Sequence, residues 1–294
     1  MNILISGAGG FLGSQLIGQL LEKDSSKVLA LTSKADKLLN RFNNHEDLSA
    51  YDNKEDVPFE QVDVLVNCAF ARTSDGLQLA SSLDFTNEFI SYAASRGVGG
   101  IINISSQSVY SQKREEAATE DTTIIPESLY GVTKYATEVL ISNICENENV
   151  PYTHLRLGSL AGAGFDARLT NRFIKSAING QTIKIKGGKQ IISYMDVRDA
   201  ASGLVAISYV KPNNWKKVYN FGTDQSLRLP EIAHLVKSIA PEYISIKVKV
   251  EIEEGDDFLN LSLDNSKFYE DASWHPKYSM EDTIRFIFEN LVKK

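Results

Sequence analysis

The stretch Ser6-Gly7-Ala8-Gly9-Gly10-Phe11-Leu12-Gly13 constrains this chain most, because it follows the apolar run Ile3–Ile5 and opens the helical pattern Phe11–Glu22. Glycine loses the most backbone freedom on folding, so a cluster of it between a strand and a helix needs a conformational reason. A turn there brings backbone N–H groups and the positive end of a helix to one point, where a pyrophosphate can sit. Gly7 permits the tight turn, Gly10 lets phosphates approach, and Gly13 lets the helix pack closely on the strand. The spacing is G-x-x-G-x-x-G with an additional Gly9. Glycines also serve tight turns that bind nothing, but the strand–turn–helix setting favours a dinucleotide.

Apolar runs of strand length continue to alternate with helical patterns. They are Val28–Leu31; Val62–Val66 then Leu77–Ser95; Ile101–Ile104 then Leu129–Ile144; and Thr153–Leu157. This rhythm predicts an α/β fold, a Rossmann-type doubly wound parallel sheet with helices on both faces. After Leu157 the pattern mixes, with a helix-like NRFIKSAING, a turn at Gly187-Gly188 and a strand-rich ISIKVKVEIEE. That predicts a smaller C-terminal α+β substrate lobe. Its expected boundaries are 161–192 with 223–294, against a dinucleotide-binding domain of 1–160 with 193–222.

The net charge of −7 is spread without a basic cluster, which argues against a nucleic-acid partner. Cys68 and Cys145 have no metal-ligand spacing to the four histidines, so the reading is reduced thiols, no metal and a cytoplasmic setting. The opening apolar run is broken by glycine and lacks a basic flank, so neither a signal peptide nor a membrane span is expected there.

Two further stretches carry chemistry. In Tyr130-Gly131-Val132-Thr133-Lys134, the apolar residues Val132, Ala136, Val139 and Leu140 mark one helix face, and Tyr130 and Lys134 stack four apart on a neighbouring one. An ammonium near a phenol pulls the tyrosine pKa down and lets it exchange protons near neutral pH. A surface helix with an ordinary Tyr and Lys is the alternative. Ile101–Ile104 runs into Ser105-Ser106-Gln107-Ser108-Val109-Tyr110, placing hydroxyls at a strand's carboxyl end, where open α/β sheets bind ligands. Serines also simply end strands.

Together the three stretches resemble the extended short-chain dehydrogenase/reductase family, in its NAD-dependent epimerase/dehydratase, sugar-nucleotide branch. The resemblance extends to VDVLVNCA at 62–69, TNEFISYAA at 86–94, LRLGSLAG at 155–162, YMDVRDAA at 194–201, YNFGT at 219–223 and LDNSKF with W-x-P at 263–276. It implies Tyr130 as acid/base, Lys134 as its activator and a ribose ligand, and Ser106, three positions before Val109, as the hydroxyl that polarises the reacting C–O group. It further implies Gly7, Gly10, Phe11 and Leu12 at the pyrophosphate, Asp47 and Leu48 flanking adenine, Ala69 near the adenosine ribose and phosphates, and Gly158 and Leu160 at the nicotinamide. The implied activity is hydride transfer between a nicotinamide and a secondary alcohol or ketone, by an epimerase or a ketoreductase.

The departures narrow this. Where the family commonly has an arginine for the substrate diphosphate, this chain has Ile192, and where a second precedes Gly-Asp it has Glu253-Glu254-Gly255-Asp256. Arg168, Arg172 and Lys175 are replacement cations or a solvated face. Ser106-Gln107-Ser108 lacks the Asp-Glu pair of the dehydratases, which disfavours dehydration. The second strand ends Leu31-Thr32-Ser33-Lys34 with no acid until Asp36, so Ser33 and Lys34 suit a 2′-phosphate and NADP is expected over NAD. A nucleotide sugar is the expected substrate, and a homodimer is expected from apolar residues on the two long helices, among them Phe85, Phe89, Tyr92, Ile141 and Ile144. The rival reading is a non-enzymatic dinucleotide redox sensor on the same fold.

Overall fold

The computed structural model describes residues 1–23, 26–253, 255 and 257–292. Glu254 and Asp256, part of the second departure noted above, lie outside the described residues.

The chain alternates from its start: β1 (Asn2–Ser6), α1 (Phe11–Leu21), β2 (Lys27–Leu31), α2 (Ala35–Arg41), β3 (Leu48–Tyr51), β4 (Val64–Asn67), α3 (Gly76–Ser95), β5 (Ile101–Ile104), α4 (Leu129–Asn147) and β6 (Tyr152–Leu157). It continues through β7 (Ser159–Ala161), α5 (Leu169–Ile178), β8 (Ile183–Lys186), β9 (Ile191–Ile192), β10 (Tyr194–Asp196), α6 (Val197–Ser208) and β11 (Val218–Phe221). It ends with β12 (Leu227–Arg228), α7 (Leu229–Ile239), β13 (Val250–Glu253), α8 (Ser266–Ala272) and α9 (Met280–Val292).

Seven strands form one parallel sheet in the order β11-β6-β5-β4-β1-β2-β3. The order reverses at β1, and in open α/β sheets a ligand binds outside the strands' carboxyl ends at that reversal. A polar chain crosses the sheet: Ser6 Oγ donates to Asn67 Oδ1 (2.6 Å), Asn67 to Asn103 Oδ1 (3.1 Å), and Asn103 Nδ2 meets His154 Nδ1 (3.2 Å). Each group is buried and partnered, so a one-residue slip of any strand would orphan one of them.

One apolar core lies between the sheet and α1 and α6; Leu16, Ile17 and Leu20 of α1 are fully buried there. Each such side chain contributes about 1.5–3 kcal/mol by burial, and Leu16→Ala would cost about 2–5 kcal/mol. On the other face Phe89, Ile90 and Ile141 cover β1, β4 and β5. A separate core joins α5, α7 and α9 to β8 through Phe173, Ile174, Ile183, Ile232 and Phe288. The cores cross the expected lobe boundaries: Tyr194 of β10 joins the second core, and Phe268 of α8 and the following Trp274 pack against Phe221 of the sheet, with ring centroids 4.3 and 5.7 Å away. Of the strand-rich stretch at 244–254, only Val250–Glu253 forms a described strand, paired in parallel with β8.

Helix α4 departs from the expectation in its phase. Its buried face carries Gly131, Lys134, Thr137, Glu138, Ile141 and Cys145, whereas Val132 and Val139, read as its apolar face, are 47% and 54% exposed. Tertiary structure turns the polar face inward because the site lies beneath it. Phe89 and Ile141, expected at an interface, are core residues, and the exposed apolar set on α3 and α4 is Leu77, Phe85, Leu129, Val132, Tyr135 and Val139. No described helix is long and apolar enough to cross a membrane.

Candidate active site

Two adjoining cavities lie at the carboxyl edge of the sheet, on either side of the glycine turn. The smaller, about 310 Å³, is lined by Gly7, Gly10, Phe11 and Leu12, by Ser106, Tyr130 and Lys134, and by Gly158 and Leu160. The larger, about 1170 Å³, runs past Gly7, Gly10 and Ala69 to Ser33, Lys34, Lys37 and Arg41.

The glycine turn is a cradle in its details. Gly7 has φ +66°, where L side chains are strained, and a Cβ there would lie 2.8 Å from Ala69 N. A Cβ on Gly13 would lie 2.6 Å from the Gly7 carbonyl, so this glycine lets α1 close on the turn. Gly10 is the N-cap of α1, which has no side-chain cap and no acid in its first turn. Its free N–H groups and positive pole therefore fit a dinucleotide diphosphate.

Ser106 and Tyr130 meet across the smaller cavity. Ser106 lies two residues past β5 and caps the short turn that follows, accepting from Ser108 N at 3.1 Å. Tyr130 stands in the first turn of α4, which Ser128 caps by accepting from Gly131 N at 3.0 Å. A Cβ at Gly131 would collide with the Ser108 carbonyl, so this glycine lets the helix approach the serine loop. Both side chains line that cavity, and the Ser106 hydroxyl acts to lower the Tyr130 phenol. Beneath them Ser105 Oγ donates to Glu138 Oε1 (2.5 Å), and Arg156 grips the same carboxylate at 3.1 and 2.8 Å. Arg156 also donates to Tyr110 Oη (2.8 Å), which donates to Asn220. A buried ion pair holds its geometry only when its remaining bonds are satisfied, and this one is.

Lys134 differs from its expected role as the group that depresses Tyr130. Its Nζ donates to the Ile104 carbonyl at 2.5 Å and lies 4.2 Å from the Phe70 ring centre. Burial pushes this ammonium from 10.5 down to about 8, against the pull of Glu138 and Cys68. Burial also raises the Tyr130 phenol, and what opposes this is Arg72, the Ser106 hydroxyl and Arg168. That carbonyl takes one of the three Lys134 N–H donors. Cys68, between the two cavities, is pushed up to about 12 by burial and stays a neutral thiol.

Asp47 and Leu48 are not at the site. Leu48 opens β3 opposite Val28, the amino edge of the sheet. The carboxyl end of that strand lies ~13 Å further on, where Asp52 and Asn53 line the larger cavity. Asp52 accepts from Ala35 N at 2.8 Å, tying this end of β3 to α2. Of the candidate diphosphate cations, Arg168 lines the smaller cavity, Lys175 pairs with Asp166 at 2.7 Å, and Arg172 is exposed. Arg72, Phe70, Gln107, Phe165, Lys37 and Arg41 had no local sequence signal; all stand in loops or on α2, brought together by the sheet.

A doubly wound sheet with a glycine cradle at its reversal point and a Ser–Tyr–Lys set beside it defines an extended short-chain dehydrogenase/reductase. The chain belongs to the NAD dependent epimerase/dehydratase family, whose family model matches residues 3–222. The low-salt glycan biosynthesis protein of Haloferax volcanii is 24% identical, over 97% of this chain and 96% of its own length. Among solved structures, a UDP-glucuronic acid 4-epimerase from Bacillus cereus, bound to UDP-4-deoxy-4-fluoro-glucuronic acid and NAD, is similar with a TM-score of 0.86 at 22% identity, covering 100% of this chain and 99% of that one. A UDP-glucose 4-epimerase from Thermotoga maritima gives 0.81 at 21% identity, covering 100% and 99%.

Proposed function

We propose that the protein is an NAD(P)-dependent epimerase or ketoreductase acting on a secondary alcohol or ketone of a nucleotide sugar. The observation that carries this is that Ser106, Tyr130 and Lys134 line one cavity with the glycine cradle and Gly158. With a dinucleotide's diphosphate held in that cradle, its nicotinamide would supply the hydride acceptor and donor. Tyr130 exchanges the alcohol proton, Ser106 holds the substrate oxygen, and Arg72 and Arg168 stabilise the phenolate between transfers. Lys134 holds the β5 end against α4 and, lining the same cavity, would bind the ribose of a dinucleotide held there. Phe70 and Phe165 exclude water from the reacting carbon. No relative or neighbour named above is a sensor, and the redox-sensor reading gains no support.

The reading extends to cofactor choice and assembly. Ser33, Lys34, Lys37 and Arg41 border the larger cavity, and none of the three cations has an ion pair with a described carboxylate. This favours a 2′-phosphate, hence NADP, although the Bacillus cereus neighbour holds NAD. The exposed apolar face shared by α3 and α4 favours a homodimer through a four-helix bundle. The test of substrate class is a thermal-shift panel of nucleotide sugars with either dinucleotide present, followed by product identification by NMR. Absence of any shift or conversion across the panel would refute the nucleotide-sugar assignment.

A further inference from the structure

Two guanidinium groups stand over the reacting end of the site, and no described acid pairs with either. Arg72, in the loop after β4, and Arg168, the N-cap of α5, lie on the same ring, Phe165, at 5.7 and 4.9 Å from its centre. Phe165 in turn packs on Phe11 of the cradle helix with centroids 4.7 Å apart, which fixes the pair at the cavity wall. Asp166, the nearest acid in the chain, is taken by Lys175. Arg168 Nε is buried and has no hydrogen-bond partner among the described residues, and neither arginine has an ion pair with a described carboxylate. Gln107 Oε1, on the same cavity, is likewise buried and unpartnered. Buried polar atoms are almost always satisfied, and two like charges side by side repel, so this wall is complementary to an anion with hydroxyls beside it.

Resting on the reading of the site as a sugar oxidoreductase, we propose that Arg72 and Arg168 form a carboxylate-binding pair, and that the substrate is a sugar acid with its carboxylate next to the reacting carbon. Position selects a carboxylate over the diphosphate of a nucleotide sugar. Both arginines line the same small cavity as Tyr130, whose oxygen must lie at the reacting carbon. In a hexose that reacts at C4, the C6 carboxylate is carried by the neighbouring carbon, while the anomeric diphosphate is across the ring. The pair's other effect also fits: burial and the neighbouring Arg72 lower Arg168 to about 10, a cost that a bound carboxylate would reverse.

The test is calorimetric titration of the full chain, saturated with dinucleotide, by UDP-glucuronic acid, UDP-glucose and UDP. Wild type is expected to bind the acid about 30-fold more tightly than UDP-glucose, the scale of a charge-assisted bidentate contact. Arg72→Gln and Arg168→Gln should each bring that ratio to within about 3-fold of unity, with UDP-glucose and dinucleotide affinities unchanged; Arg168→Lys, which keeps the charge and loses the fork, should fall between. Equal binding of the two sugars by wild type, or no binding of either, overturns the proposal. So does an equal loss for both sugars and UDP in the variants, which would make the pair a diphosphate site, or a loss of dinucleotide affinity, which would make it a cofactor site. Failure of wild type to bind any dinucleotide would instead refute the enzyme reading on which the proposal rests.

Discussion

Replacing Lys134 by Met should make the protein more stable at neutral pH and abolish its activity, and the size of the first effect follows from the structure. Lys134 is 2% exposed, and burial holds its ammonium at about 8 rather than 10.5. Between those values the unfolded chain binds a proton that the native state does not, so stability rises with pH there. Below about pH 8 both states are protonated and the full penalty applies, about 3 kcal/mol for a shift of this size. Methionine has a similar length and no charge, so the variant lacks this titration. The difference in unfolding free energy, wild type minus Lys134→Met, should therefore be flat below pH 7 and climb by about 3 kcal/mol on approaching pH 10.5. Cys68, pushed from 9.0 up to about 12 by burial, lowers stability as pH rises over part of that window, but both proteins carry it and it cancels in the difference. The assay is urea unfolding at pH steps with no dinucleotide present. A difference that stays flat, or falls, would show that Lys134 is not a buried cation.

Gly7→Ala should cost about 1–3 kcal/mol and abolish dinucleotide binding, because φ is +66° and the Cβ would lie 2.8 Å from Ala69 N; thermal unfolding and fluorescence titration check both. Lys34→Ala and Arg41→Ala should each weaken NADP about 10-fold with little effect on NAD, whereas Asp47→Ala should alter neither; a wild-type preference for NAD would remove the 2′-phosphate site. Val132→Glu with Val139→Lys should convert a dimer to a folded monomer in sedimentation, and a wild-type monomer at micromolar concentration would rule out the α3/α4 bundle.

Local signals in the sequence reached far into this protein. A strand, glycine turn and helix are contiguous, so the cradle at 6–13 is written in one stretch, and the family resemblance carries the Ser–Tyr–Lys set. Three features were less legible. Asp47 and Leu48, the adenine neighbours that the resemblance implies, stand at the wrong end of a strand for which the sequence shows no separate signal; it runs 48–51, which puts its ligand end at Asp52. The apolar periodicity of α4 was real but its phase was not, since Lys134 and Glu138 must face the site and Val132 and Val139 are left outside. Arg72 and Arg168 are brought together by the tertiary fold from separate loops, and no spacing rule marks them. Phe268 and Trp274 return to the sheet for the same reason: their partner, Phe221, is supplied by a distant strand.

The central claim is that Tyr130 moves the substrate proton in a dinucleotide site it does not hold together. The most direct measurement is turnover and dinucleotide affinity of Tyr130→Phe beside wild type, on the sugar identified by the substrate panel. The account predicts a loss of turnover of about 10²–10⁴-fold with dinucleotide affinity within about 3-fold of wild type. Wild-type turnover in the variant would contradict the assignment of Tyr130 as the acid/base.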